Sequence, residues 1–172
     1  YDLYVKILNE AVLEEKGDAP KPRFESKVDL ALDAYLPEKY IKSESQRMDI
    51  YKKIAHIETR EDLDDLADEL CDRFGEIPRQ ADTLMYVSLA RSLCSAARIP
   101  KLEQKGQVIS LIPEQFDPVR WARAASESNV QLTFQMAGRQ CVNYKIKSPR
   151  PLCDICDVLE QYLGDVQKNQ QK

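Results

Sequence analysis

Two cysteines, Cys153 and Cys156, form the pair whose type and spacing most directly suggest chemistry in this chain. They stand at a predicted helix start that follows a predicted strand, which is the context of thiol redox sites. Asp154 lies between them and would oppose a thiolate. A zinc site needs about four ligands, but the sequence has no second cysteine pair of this spacing and only one histidine. Redox or metal chemistry at these thiols is therefore one alternative; the other is that Cys156 packs in the core.

Other catalytic arrangements have little support in the sequence. His56 lies near the C-terminal end of a predicted helix, where positive charge is favourable, and nothing places a catalytic partner beside it. The five glycines are too far apart to form a GxxxxGKS/T or GxGxxG phosphate-binding loop. We therefore expect no catalytic residue, metal or cofactor within these 172 residues.

Composition and charge restrict the class of protein. A net charge of −4 argues against nucleic acid as the main partner, because phosphate binding requires clustered lysines and arginines. Four basic residues gather around a predicted hairpin and the turn after it, without interleaved aromatic rings: Arg139, Lys145, Lys147 and Arg150. We expect neither a signal peptide nor a membrane span, because these residues contain no signal-peptide pattern and no apolar run near the roughly 20 residues that a span needs. The five cysteines are an odd number and do not follow the spacing pattern of a disulfide framework, which favours the reducing cytoplasm.

The first half of the chain is predicted to be mainly helical. Alternating apolar residues at 27–36 predict a strand that ends at Pro37. Helical periodicity then predicts three successive helices at 45–57, 59–74 and 79–98. The turns between these helices are very short, which favours packed neighbours.

The second half predicts strands and two further helices. Two short strands flank Gly106, and Asp117 and Pro118 open a helix. Strict alternation at 130–136 predicts a strand that pairs with its successor in a hairpin, and a last helix begins at Pro151. The predicted fold class is α+β, with a small antiparallel or mixed sheet packed with about five helices.

The ends of the chain are predicted to lie outside this domain. Residues 2–15 have helical periodicity, and residues 16–23 contain Gly17 and two prolines, as in a flexible connection. The predicted domain therefore covers 24–166, and the polar residues 167–172 form a disordered tail. Because the chain begins without methionine, we expect it to be a part of a larger protein.

The predicted helix at 59–74 has the most distinctive charge distribution. From Glu58 to Glu76 the chain has nine acidic and two basic residues, a net charge of −7. Thr59 and Asp62 form a capping-box pattern, and Gly75 provides a stop. One arc of the helical wheel is apolar, with Leu63, Leu66, Ala67, Leu70 and Phe74. The opposite arc is acidic, with Asp62, Asp65, Glu69 and Asp72.

This acidic arc has two interpretations. Charge runs on a helix usually form a solvated face. However, like charges four residues apart repel each other, and a basic partner surface would relieve that repulsion. From the residues alone, the chain could therefore be an independent adaptor that binds a basic protein.

Three sequence blocks closely resemble one bacterial family: AYLPEKYI, QRMDIYKKIA and TREDLDDLADELCDRFGEIP. They are similar to the C-terminal domain of the transcription-repair coupling factor, and the likeness extends more loosely over nearly all of 1–166. There are two departures. Lys42-Ser43 replaces the usual Pro-Asp, although Ser43 can still cap a helix. The third helix ends at Arg98-Ile99-Pro100 without the glycine that is common there.

The resemblance implies a role in a larger machine. The parent would be an ATP-dependent DNA translocase that displaces stalled RNA polymerase and recruits the first subunit of the excision-repair nuclease. Its motor, with ATP and magnesium, would lie upstream, and the helix at 2–15 would leave that motor. The present domain would be non-catalytic and would dock on the N-terminal recruiting module, masking the nuclease-binding surface. The resemblance implies that Glu69 and Asp72 take part in that contact. We add Asp65, because it lies one turn earlier on the same face of the helix.

Overall fold

The structure, a computed structural model, describes residues 24–170, so the predicted helix at 2–15 and the connection at 16–23 lie outside the described residues. Five helices are present in the described part: α1 Glu44–Ala55, α2 Arg60–Phe74, α3 Arg79–Ala96, α4 Pro118–Ser128 and α5 Pro151–Gln170. Five strands accompany them: β1 Lys27–Asp29, β2 Lys101–Lys105, β3 Val108–Ile112, β4 Thr133–Gln135 and β5 Cys141–Lys145. The predicted α+β class is confirmed. None of the helices in 24–170 combines the length and apolarity needed to cross a membrane.

The strands form one mixed sheet in the order β1-β2-β3-β5-β4. β1 runs parallel to β2, and the other neighbouring pairs are antiparallel. The register places Leu102 opposite Leu111 and Ile109 opposite Tyr144, and all four side chains are buried. These residues share one face because side chains alternate along a strand. That face provides much of the core in the second half of the chain.

The chain divides into two compact units, and the division falls inside α3 between Leu89 and Ala90. The first unit, as far as it is described, is Ala31–Leu89 and contains α1 and α2. The second unit comprises Phe24–Leu30 and Ala90–Lys172 and contains the whole sheet with α4 and α5. The predicted domain limits at 24 and 166 stay a prediction, and α5 runs to Gln170.

In the second unit, α4 and α5 pack against each other through a ring stack. Trp121 is completely buried and stacks on Tyr162 with ring centroids 4.1 Å apart. Arg120 covers the same tyrosine ring, with its guanidinium 3.7 Å from the centroid. The Arg120 Nη2 also donates a hydrogen bond of 2.6 Å to the Tyr162 carbonyl. Arg120 therefore joins the two helices by both its charge and its planar shape.

The strand predicted at 27–36 is wrong in length, since β1 ends at Asp29. Only three residues of this segment pair with β2, and the pairing ends where Asp29 lies opposite Glu103. The later apolar residues Leu30, Ala34 and Leu36 are nevertheless buried. The alternation therefore reflects the burial of these side chains in an irregular segment. The backbone of that segment does not pair in the sheet.

The strand predicted at 130–136 is also too long. Its hairpin with the following strand is confirmed, because β4 pairs antiparallel with β5. Val130, however, belongs to the end of α4: its N–H donates to the Ala125 carbonyl, after Asn129 in the left-handed conformation. Met136 lies beyond the last β4 residue and is 52% exposed. The alternating run is therefore longer than the strand. Its first residue lies at the end of α4, and its last residue lies in the turn of the hairpin.

Helix α3 ends without a glycine by placing an arginine in the left-handed region. Arg98 has a φ of +55° and lies two residues after the last helical residue, Ala96. The Ile99 N–H donates to the Cys94 carbonyl and the Arg98 N–H to the Ser95 carbonyl, the bond pattern of a Schellman end. The Arg98 guanidinium also lies 5.4 Å from the Phe24 ring centroid. Arg98 therefore ends the helix where the resemblance leads us to expect glycine, and its side chain contacts the Phe24 ring.

Candidate partner interface on helix α2

Helix α2 begins with a complete capping box, as the sequence predicts. The Asp62 N–H donates to Thr59 Oγ1 at 3.1 Å, and the Thr59 N–H donates to Asp62 Oδ2 at 3.0 Å. The Glu58 N–H donates to the same carboxylate oxygen at 3.0 Å. These backbone donors, that of Glu58 first, lower the pKa of Asp62 despite some opposing desolvation. Asp62 is thus committed to the helix start and is unsuited to meet a partner.

The apolar stripe of α2 anchors the helix. Leu63, Leu66 and Leu70 are buried, with 3%, 7% and 0% of their surface exposed. Residues at these spacings lie on one side of a helix, so the opposite side is turned toward solvent. The amphipathic pattern predicted from the sequence is confirmed.

The end of α2 is fixed by a tyrosine from the preceding irregular segment. The Tyr40 hydroxyl lies 3.2 Å from the Leu70 carbonyl oxygen and 3.0 Å from that of Gly75, in position to donate to either. Its ring meets Phe74 edge to face at a centroid distance of 5.9 Å. Tyr40 therefore binds the last turn of the helix both by polar and by apolar contact.

Two further residues of the recognised sequence blocks hold the same unit together. Arg47 Nη1 donates to the Ile41 carbonyl at 2.8 Å, and the Leu36 N–H donates to the Tyr51 hydroxyl oxygen at 2.9 Å. Arg47 and Tyr51 both lie on α1, so these bonds fasten residues 36–41 to that helix. Arg47 and Tyr51 therefore have a structural role within this unit.

Glu69 has two partners within its own unit. Lys53 Nζ, from the last turn of α1, lies 2.7 Å from Glu69 Oε1, and Arg73 Nη1 lies 3.1 Å from Oε2. The hydrogen bond from Lys53, followed by the smaller effect of Arg73, lowers the pKa of Glu69. With 35% of its side chain exposed, Glu69 remains accessible at the rim of this cluster. It lies on the flank of α2 that faces α1.

Asp65 and Asp72 occupy the outward side of the helix. Both are exposed, and among residues 24–164 neither has an ion pair or a side-chain hydrogen bond. Glu61 and Asp68 are also exposed, and the spacing of four, three and four residues puts all four acids on one stripe. We call Glu61, Asp65, Asp68 and Asp72 the outer acidic row. It extends over about 16 Å at 1.5 Å per residue.

The structure thus separates the predicted site residues by their surroundings. Asp65 and Asp72 lie on the outer acidic row, whereas Glu69 belongs to a cluster with Lys53 and Arg73. The Glu69–Arg73 pair was accessible to sequence reasoning from its four-residue spacing. Lys53 was missed, because its proximity depends on the packing of α1 against α2.

The cysteine alternative gains no geometric support. Cys156 is fully buried, whereas a thiol that exchanges with a substrate must be reachable. Cys153 is half-buried, and both are free thiols. In the part of the chain that the structure describes, no group of three or more potential ligands could hold a metal ion. His56 caps the end of α1 through its backbone N–H.

Comparison with known proteins decides the family. The family model described as the TRCF domain matches residues 30–122, which is more than half of the chain. The chain belongs to the TRCF domain family. The matched residues include α1, α2 and α3, so the outer acidic row lies inside the region that defines the family.

Curated relatives of this TRCF domain are bacterial transcription-repair-coupling factors. The protein of Bacillus subtilis is 33% identical over 144 residues, which is 81% of this chain and 12% of the relative. That of Staphylococcus epidermidis is 39% identical over 118 residues, 65% of this chain and 10% of the relative. The chain therefore spans about a tenth of the length of these relatives.

A solved structure shows the same fold. The crystal structure of the C-terminal domain of a transcription-repair coupling factor matches this TRCF domain with a TM-score of 0.74 at 24% identity. The match covers 87% of this chain and 98% of the other. The predicted fold is therefore confirmed by a structural relative that corresponds to one domain.

Proposed function

We propose that this chain is the non-catalytic regulatory module of a transcription-repair coupling factor. It docks through the outer acidic row and Glu69 on the N-terminal recruiting module of the same protein. Docking masks the surface that binds the first subunit of the excision-repair nuclease, and release exposes that surface after the motor has engaged stalled RNA polymerase. The parent would act in the bacterial cytoplasm and would carry its ATP-dependent motor outside this chain.

The observation that carries this proposal is a stripe of one charge sign on a well-anchored helix. The outer acidic row repels itself by about 0.2–0.5 kcal/mol for each close pair. A partner surface rich in arginine would remove that repulsion and form charge-assisted hydrogen bonds. Glu61 lies in the first turn and favours the positive end of the helix dipole, whereas Asp65, Asp68 and Asp72 lie beyond that turn. The caps and the apolar stripe therefore hold α2 without these three acids.

The mechanism is an equilibrium between docked and released states. If the nuclease subunit binds only the released state, its apparent affinity is its intrinsic affinity multiplied by the fraction of molecules that are released. If about one molecule in ten is released, complete release strengthens apparent binding about tenfold. The docking contact therefore sets how readily repair is recruited.

The test is charge reversal in the full-length protein. Asp65→Arg with Asp72→Arg should strengthen binding of the nuclease subunit by up to about tenfold, measured by calorimetry without damaged DNA. These two substitutions leave the Lys53–Glu69–Arg73 cluster unchanged. Glu69→Arg with Asp72→Arg should also strengthen nuclease binding. It should in addition lower the stability of the protein slightly, because Glu69 no longer pairs with Lys53 and Arg73.

A matched control changes the same net charge elsewhere. Glu38→Arg with Glu127→Arg replaces two exposed acids outside α2 and should leave nuclease binding unchanged. Unchanged binding in the Asp65/Asp72 variant, with a native circular dichroism spectrum, would contradict autoinhibitory docking through this helix. The independent-adaptor alternative predicts instead that the chain binds a basic protein that is not part of its parent.

A further inference from the structure

The four basic residues noted in the sequence do not form one continuous surface. Lys145 ends β5 and Lys147 follows it, whereas Arg139 precedes the opposite end of the same strand. Five strand residues span about 16 Å. Arg139 also helps to lower the pKa of Glu103, after the stronger effects of Lys101 and Lys105, so its charge acts elsewhere. A phosphate backbone would therefore find no uninterrupted basic track here.

Lys145 and Lys147 instead line a cavity of about 340 Å³ in the second unit. Its wall is formed where α4 ends, β4 begins, β5 ends and α5 makes its first turns. More of the exposed wall is apolar than polar, and the lining residues include Asn129, Gln131 and Asn143. The volume lies in the range of about 300–1,000 Å³ that is typical of ligand sites.

One carboxylate lines this cavity, and it is already engaged. The Tyr144 hydroxyl donates a hydrogen bond to Asp154 Oδ2. Burial, together with this carboxylate, raises the pKa of Tyr144, so the hydroxyl stays protonated. The two lysines and Asp154 give the lining a net charge of +1, that is +2 −1.

The lysine charges are not neutralised by the surrounding residues. Lys147 Nζ donates to the neutral Gln131 Oε1 at 3.2 Å, which holds it at the cavity wall. Within the described range 24–164, neither Lys145 nor Lys147 forms an ion pair with a carboxylate. Both side chains are exposed at the opening. The cavity therefore presents two ammonium groups to an incoming anion.

We propose that this cavity binds an acidic segment of a partner protein, with an Asp or Glu carboxylate against Lys145 and Lys147. Gln131 Oε1 and Asn143 Oδ1 already accept hydrogen bonds within the chain, so these amides offer their N–H groups to peptide carbonyls. The apolar part of the wall suits the side chains of a peptide better than it suits a phosphate. Asp154 disfavours a doubly charged phosphate. The one aromatic lining residue, Tyr144, is largely buried and tied to Asp154, so it offers no stacking platform for a base. The site is independent of the docking proposed for α2.

The test uses the full 172-residue chain and a fluorescein-labelled decapeptide of alternating Glu and Gly, followed by fluorescence anisotropy. Binding should be saturable, and an unlabelled copy of the peptide should displace it, whereas a Gln-Gly peptide should not. Lys145→Glu with Lys147→Glu should weaken binding by about tenfold or more, because two charge-assisted hydrogen bonds are lost. Gln131→Trp should weaken it as well by filling the cavity without changing charge.

The control variant is Lys39→Glu with Lys42→Glu, which makes the same charge change at exposed positions outside the cavity. It should bind the acidic peptide as the parent chain does. Equal weakening by this control, or undiminished binding by Gln131→Trp, would show non-specific attraction and overturn the site. Tighter binding of a thymidine oligonucleotide of matched length would overturn the peptide assignment in favour of nucleic acid, and lack of any saturable binding would also overturn it.

Discussion

Acidic side chains on one helix serve different purposes here, and their immediate neighbours distinguish them. Asp62 accepts backbone hydrogen bonds at the helix start, and Glu69 joins α2 to α1 through Lys53. Asp65 and Asp72 have no such commitments among the described residues. A substitution at Asp62 or Glu69 therefore mixes structural and binding effects. Asp65 and Asp72 offer the cleaner test of partner binding.

Backbone conformation separates two residues that end helices in this chain. Arg98 has a φ of +55°, which costs a residue with a side chain about 1–2 kcal/mol. Gly75 has a φ of +86° and a ψ of −160°, a region that is essentially restricted to glycine. The first conformation is therefore open to a residue with a side chain, whereas we expect the second to require glycine.

We predict that Gly75→Ala destabilises the protein by about 1–3 kcal/mol. A Cβ at this position would meet no atom within 4 Å, so the cost arises from the backbone angles alone. Urea unfolding measures it. Gly164→Ala, within α5, is the matched control and should stabilise by about 0.5–1 kcal/mol, because alanine favours a helix. An unchanged midpoint for Gly75→Ala would contradict the assigned conformation.

At the scale of elements, α2 is formed by short-range interactions. Its capping box, apolar stripe and glycine stop all follow the order of residues along the chain. Elements that depend on pairing behave differently, as β1 and β4 show. Both are three residues long where alternation predicts longer strands, since a strand needs a bonded neighbour as well as a suitable pattern.

The capping box makes a specific prediction for α2. Thr59→Ala should lower the free energy of unfolding by about 1 kcal/mol, because an N-terminal N–H loses its acceptor. Asp62→Ala should have a similar effect, and the double variant should cost less than the sum, since each side chain bonds the other residue's backbone. Thermal and urea unfolding of all four proteins measure this coupling. Asp64→Ala, an exposed acid outside the box, should change stability by less than about 0.5 kcal/mol, and strict additivity of the first two would contradict the reciprocal cap.

At the scale of the whole molecule, charge is distributed unevenly along the chain. Residues 31–89 contain 14 acidic and eight basic residues, a net charge of −6. Residues 90–172 contain eight acidic and 12 basic residues, a net charge of +4. The two surfaces proposed for binding follow this asymmetry: the outer acidic row suits a basic partner, and the lysine-lined cavity suits an acidic one.

Docking through the outer acidic row should depend on salt. Raising ionic strength from about 0.05 M to about 0.5 M shortens the screening length from about 14 Å to about 4 Å. The affinity of this chain for the separately produced N-terminal module of its parent should then fall several-fold, as measured by calorimetry. Asp65→Asn with Asp72→Asn should bind more weakly and with a flatter salt dependence. An affinity that does not change with salt would contradict an electrostatic contact.

Sequence alone determined the features that depend on neighbours in the chain. The three helices, the capping box, the α+β class and the family follow from periodicity, caps and characteristic blocks, since these interactions span only a few residues. Tertiary structure decided the rest. Lys53 reaches Glu69 only because two helices pack, and the cavity beside Lys145 and Lys147 forms only where residues 129–133, residues 143–148 and Asp154 come together. Such contacts join residues that are distant along the chain, so no local pattern records them.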